Sequence, residues 1–174
     1  YDEAIKKLEK SSPERREGAI AIRIRKLCKE INEQGQLDMA QRIVVVIQVL
    51  EFCKSGSREV SQLELGFINT LSEGLNTPSE EYEFIERFVL NPFSEIPATS
   101  NLLIINGITD FDHGDAKHMS KELLKGHIWI LFVPSVRMYF VRFTGSGELK
   151  RKGQLLQEDK AYPFSQGSSI KGYK

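Results

Sequence analysis

The densest group of potential ligands in the chain is Asp110-Phe111-Asp112-His113-Gly114-Asp115, followed closely by His118. Carboxylates alternating around a glycine are what a calcium loop requires, because the ion gathers about six to eight oxygens from one tight turn. In such a loop the twelfth position supplies a bidentate glutamate. Counted from Asp110, that position is Lys121, and an ammonium there repels a cation. The run therefore reads as a solvated surface loop. Asp110, Asp112, Asp115 and His118 are the side chains a metal would use if one bound. Glu59, beside Ser57-Arg58, is a further isolated candidate, since its neighbour Glu64 is claimed by a helix cap. The expectation is no metal and no cofactor.

Other chemistry is no better supplied. The sequence contains no Gly-x-x-x-x-Gly-Lys-[Ser/Thr] loop to cradle phosphates, no His-Glu-x-x-His pair and no Gly-x-Ser-x-Gly elbow. With three histidines in 174 residues, no Ser-His-Asp grouping can be argued. No catalytic residue is assigned. Lys150-Arg151-Lys152 reads as a solvated basic strand or turn, and Glu80, Glu81 and Glu83 as acids favouring a helix N-terminus.

Composition is that of an ordinary globular chain, 40% hydrophobic and 28% charged. Net charge is zero, but residues 1–93 carry 13 Lys and Arg against 16 Asp and Glu, and the remainder the reverse imbalance. Neither half is charged strongly enough to predict nucleic acid or membrane binding. Cys28 and Cys53 both lie in apolar helical stretches, as buried free thiols do in a reducing compartment; a disulfide between them is the alternative. No apolar run approaches the roughly 20 residues of a membrane span, so no direct insertion is expected. Tyr1 and Lys174 both read as cuts within a longer protein.

The elements that would position these residues change period near residue 93. A short helix is expected over 2–10. Ser12-Pro13-Glu14 then opens a helix over 13–34, with Ile20, Ile24, Leu27, Cys28 and Ile31 at helical spacing and Gly35 as its stop. Residues 38–53 are apolar on most faces and are expected to form the buried central helix, with Lys54 to Arg58 as the loop after it. Ser61-Gln62-Leu63-Glu64 is a capping box ahead of an apolar face of Leu63, Phe67, Ile68, Leu71 and Leu75. Thr77-Pro78-Ser79-Glu80 reads as a second box, with Phe84, Ile85, Phe88 and Val89 inward and Asn91-Pro92 as the stop. Residues 92–100 read as a linker. Beyond it lie expected strands at 102–105, 127–133 and 138–143, shorter ones near 148–150, 154–156 and 161–164, and an ambiguous segment at 116–125. Trp129 and Phe132 are assigned to the β core. The fold class is α+β: a helical bundle over 1–93, then a small antiparallel β domain over 94–174, folded as a sandwich or half-barrel and possibly truncated.

Gln41–Phe52, Ser61–Ile68 and Pro78–Val89 together resemble the TerB-like helical domain named from tellurite-resistance proteins, across about residues 13–90. More narrowly, KLCKEINEQ followed by QRIVVVIQVLEF is similar to the soluble region at the front of a large ABC-transporter ATP-binding protein. Gly153–Leu156, Tyr162–Phe164 and Gly167–Ile170 resemble the β part of that region, and also the closing strands of a forkhead-associated domain. The resemblance implies a non-catalytic accessory region. It would be cytoplasmic, tethered to the membrane through the full-length protein, and would contact protein partners or other domains of the same transporter rather than nucleic acid. The alternatives are a metal- or stress-sensing TerB-like module and, third, a small enzyme. Two departures bear on this. Ser57-Arg58 stands where metal-associated TerB-like domains keep an Asp-Gly pair, and the forkhead-associated Gly-Arg with Ser-x-x-His is absent.

Overall fold

The computed structural model describes residues 12–56 and 59–172. The helix expected over 2–10 and the Ser57-Arg58 pair lie outside the described residues. Four α-helices lead into eight strands: α1 (Pro13–Gln34), α2 (Met39–Lys54), α3 (Gln62–Gly74) and α4 (Ser79–Leu90), a 3-10 turn at Phe93–Glu95, then β1 (Leu102–Asn106), β2 (Lys117–Ser120), β3 (His127–Val133), β4 (Met138–Thr144), β5 (Leu149–Arg151), β6 (Gln154–Leu155), β7 (Tyr162–Phe164) and β8 (Ile170–Gly172). This is an α+β fold, helices first.

Local chemistry accounts for the helix ends. Gly35 closes α1 in the left-handed conformation, at φ 60°. The Ser61 box forms as expected: Glu64 N donates to Ser61 Oγ at 3.2 Å, and Ser61 N donates to Glu64 Oε2 at 2.8 Å. An equivalent box, unanticipated, joins Asp38 and Gln41 at the start of α2. The Thr77 box does not form. Thr77 is buried, its N–H donates to Ser72 O at 3.0 Å, and its hydroxyl has no hydrogen-bond partner. Closing the α3–α4 turn takes the residue out of the capping role.

Burial corrects two apolar faces. In α1 only Cys28 is buried, while Ile20 and Leu27 are 37% and 53% exposed. Ile20 and Leu27 lie roughly a quarter to a third of a turn around α1 from the face carrying Cys28 and Asn32, which is the one that meets α3. The two helices meet where Cys28 Sγ donates to Leu71 O and Asn32 Nδ2 to Gly74 O, and a side chain on Gly74 would stand 2.7 Å from Cys28 Sγ. In α2, Ile43, Val46, Ile47 and Leu50 are buried as expected, but Phe52 is 78% exposed. Lys54 belongs to the helix rather than to the loop.

The β part holds a five-stranded sheet of order β2-β1-β3-β4-β7 and a three-stranded sheet of order β6-β5-β8. The expectation of a purely antiparallel domain is corrected. The ambiguous 116–125 segment supplies β2, which runs parallel to β1 with Ile104 opposite His118. The remaining pairings are antiparallel.

Alternation along β1, β3 and β4 gives the larger sheet two apolar faces. Leu102, Ile104, Trp129, Leu131, Val133 and Phe140 join the helical residues in one core cluster. Ile128, Ile130, Val141 and Phe143 join Leu149 and Leu156 in a second, beneath the smaller sheet. The layers are therefore helices, large sheet, small sheet. The 92–100 stretch is a packed strap rather than a spacer: Ile96 is buried, and the Phe93 ring lies 4.9 Å from that of Trp129.

Two substitutions test this packing. Ile47→Asp places a carboxylate in the shared core and is expected to unfold the chain, since an unpaired buried charge costs several kcal/mol, comparable to a small domain's ~5–15 kcal/mol. Val45→Asp, at a half-buried position, should only lower the melting temperature. Circular dichroism melts that ranked the two in the opposite order would overturn the placement of α2. Gly74→Ala should cost about 1–3 kcal/mol by overpacking against Cys28, read as a lower denaturant midpoint at unchanged slope.

Candidate functional site

The Asp110–His118 run is a turn stitched to its surroundings. Gly114 N donates to Asp112 Oδ1 at 3.1 Å, while Asp110 and Asp115 are exposed. His113 Nε2 donates to Ile96 O at 2.8 Å, tying the loop to the strap. His118 Nε2 donates to Asn106 Oδ1 at 3.0 Å, and Asn106 Nδ2 faces His127 Nδ1 at 3.4 Å. Asn106 Oδ1 also accepts from Ile108 N at 2.9 Å, which fixes the orientation of the amide. The amide oxygen is thereby shared between His118 and Ile108, and the amide nitrogen is turned to the His127 ring. All three histidines stand around the Phe111 ring, at centroid distances of 5.4 to 6.4 Å. The candidate ligands are thus dispersed, with His118 turned to an amide. Among the described residues no group of three or more His, Cys, Asp or Glu is placed to hold a metal, and Glu59 lies exposed ahead of α3. No disulfide joins Cys28 and Cys53, and burial pushes the Cys28 thiol up.

The strongest polar constellation is one the sequence did not announce. Arg142, in the middle of β4, is 2% exposed. Its Nη1 donates to Phe88 O and to Asn91 O, both at 2.7 Å, capping carbonyls at the end of α4. Its Nε donates to Asp159 Oδ1 at 2.8 Å, Nη2 donates to the same oxygen, and the guanidinium lies 4.6 Å over the Phe93 ring. Asp159 sits at φ 63°, a conformation aspartate tolerates better than most residues. Its other carboxylate oxygen takes Lys54 Nζ at 3.1 Å, and its backbone carbonyl takes the same ammonium at 2.6 Å. Burial foremost, and then the Arg142 charge, lowers the Lys54 pKa despite Asp159. Glu51, one turn earlier in α2, accepts from Ala161 N at 2.8 Å, and burial raises its pKa. At the opposite end, Glu81 of α4 accepts from Ser135 N at 2.9 Å and from Ser135 Oγ, pinning the β3–β4 turn.

Beside Glu51 runs an open groove of about 490 Å³ between α2 and β7. Val44, Ile47, Phe52 and Phe140 give it apolar walls, and Lys160 stands among its polar lining residues. Trp129 lies in the core as expected, whereas Phe132 lies half-buried against Tyr139 at 4.9 Å between ring centroids. Phe52 could have been suspected from its place at the end of an otherwise buried helix. Nothing in MYFVRF distinguishes Arg142 from a solvated strand arginine.

The class these observations define is a three-layer α+β protein whose buried and half-buried charges join helices to sheet. No family model, curated protein or solved structure matches the chain. No helix among the described residues is long and apolar enough to cross a membrane.

Replacing Arg142 with Met should cost on the order of 3 kcal/mol, because the α4 carbonyls and Asp159 lose their partner together. Arg142→Lys should recover little of this, lacking the planar fork; full stability in the Lys variant by urea melts would sink the capping role. Glu51→Gln keeps an acceptor for Ala161. Because the folded Glu51 pKa is raised, its protonation stabilises the fold at low pH, and that contribution is lost as pH rises through the raised value. The melting temperature of the parent relative to Glu51→Gln should therefore fall from acid to neutral pH.

Proposed function

We propose that this chain is a non-catalytic accessory region that works by binding, acting within an ABC-type transport protein through contacts with partner proteins or neighbouring domains. The observation that supports it is the use to which the charged side chains are put. Arg142, Asp159, Lys54, Glu51 and Glu81 are each engaged in holding helices to sheet. The sequence-level resemblance to a TerB-like region ahead of an ATPase module supplies the transporter context and its cytoplasmic, membrane-tethered location. In this reading the chain supplies a contact surface while nucleotide chemistry is carried elsewhere in the full-length protein.

The reading is tested by ligand titration and by gene context. Melting temperatures of the purified chain should be unchanged by millimolar MgATP and by millimolar calcium. A ligand at a hundredfold excess over its Kd would add about 2.7 kcal/mol, a shift easily seen. A rise with MgATP would overturn the non-catalytic assignment, and a rise with calcium that Glu59→Ala abolished would favour a metal-sensing module instead. In the gene, the reading frame beyond Lys174 should encode a Gly-x-x-x-x-Gly-Lys-[Ser/Thr] loop; a stop codon in its place would remove the transporter context.

A further inference from the structure

The groove between α2 and β7 has an unusual combination of walls. β7 is an edge strand of the large sheet, a place where an extended peptide could add itself by backbone pairing. Here the donors such pairing needs are withdrawn. Ala161 N is already given to Glu51, and Pro163 has no N–H to offer. What remains is the Phe52 ring, 78% exposed, beside half-buried Val44, over a floor where Ile47 and Phe140 are almost wholly covered. The volume, about 490 Å³, falls in the range of pockets for small organic ligands.

The charges decide which ligand. Arg142 and Lys54 are paired to Asp159. The Glu51 carboxylate is bound to Ala161 N and feels Lys54, Arg142 and Lys160 together. Lys160 carries no ion pair among the described residues; its ammonium stands 5.5 Å from the centroid of the Tyr162 ring. Glu51 and Lys160 are thus the two charged residues lining the groove, the carboxylate turned to Ala161 N and the ammonium to the Tyr162 ring. We propose that the groove binds an amphiphilic monocarboxylate, its aliphatic or aromatic body lying against Phe52 and Val44 and its carboxylate meeting Lys160 Nζ. Coverage of Phe52 supplies the apolar gain, and the ion pair orients the ligand.

Decanoate, below its micelle concentration, is the probe, titrated into the whole chain by calorimetry alongside decanol and the acetylated, amidated peptide Val-Phe-Glu-Val. Decanoate should bind at least tenfold more tightly than decanol. Lys160→Ala should abolish that preference, and Phe52→Ser should weaken both ligands about tenfold. Lys160 and Phe52 are exposed, so both variants should melt like the parent and report on binding alone. Equal binding of decanoate and decanol, no binding of either, or tighter binding of the peptide than of decanoate would each overturn the assignment. A failed decanoate titration would leave the nucleotide and calcium results where they are.

Discussion

A single guanidinium sets the relation between the two kinds of secondary structure in this protein. Arg142 rises from the centre of β4 into a core of aromatic and aliphatic side chains, where an unpartnered charge would be prohibitive. It is tolerated because four hydrogen bonds reach it, two from the end of α4 and two from Asp159. The first pair places α4 over the sheet, and the C-terminal end of a helix is where a cation is favoured. The second draws in the turn before β7, and through Asp159 also Lys54 at the end of α2. Helix, sheet and turn are thereby fixed with respect to one another by one side chain. Burial of apolar surface supplies the drive to pack, but it does not by itself select this arrangement.

That logic explains what the sequence disclosed and what it hid. Elements announced by local chemistry were legible: Ser61 and Glu64 close a box, Gly35 takes the left-handed cap, and the runs at His127 and Met138 alternate as strands should. Features decided by distant partners were not. Lys117–Ser120 has no pattern of its own and becomes a strand because β1 offers an edge. Thr77 has the right neighbours for a cap but lies in a closed turn that removes it. Ile20 and Leu27 fall on an apolar stripe of α1, yet α3 packs on the neighbouring face that carries Cys28 and Asn32. Of the ligand-rich run, its looped character was readable. The engagement of His113 with Ile96 and of His118 with Asn106 was not, since those partners are 17 and 12 positions away.

The groove and the edge strand beside it show how one carboxylate can serve two ends. By accepting from Ala161, Glu51 both anchors α2 to the sheet and removes an outward donor from β7. Proline at 163 removes another. An edge treated this way resists unplanned pairing with other chains, a recurring need in sheet proteins. At the opposite margin β2 is only four residues long and bounded by Lys117 and Lys121, a second deterrent of the usual kind. The large sheet is thus guarded at both margins while its faces remain fully used.

The position of Arg142 in the chain has a consequence for biosynthesis. The carbonyls it caps, those of Phe88 and Asn91, precede it by 54 and 51 positions. On the ribosome α1 to α4 are translated while β3 and β4 are still to come, so Ile85, Phe88 and Val89 have no sheet to lie on and α4 ends on open carbonyls. Translation proceeds at about 5–20 residues per second, and the nascent chain is left for several seconds with half of a core turned outward. The helical layer is therefore exposed to a chaperone before the sheet is, and the emergence of β4 is the moment at which that exposure can end.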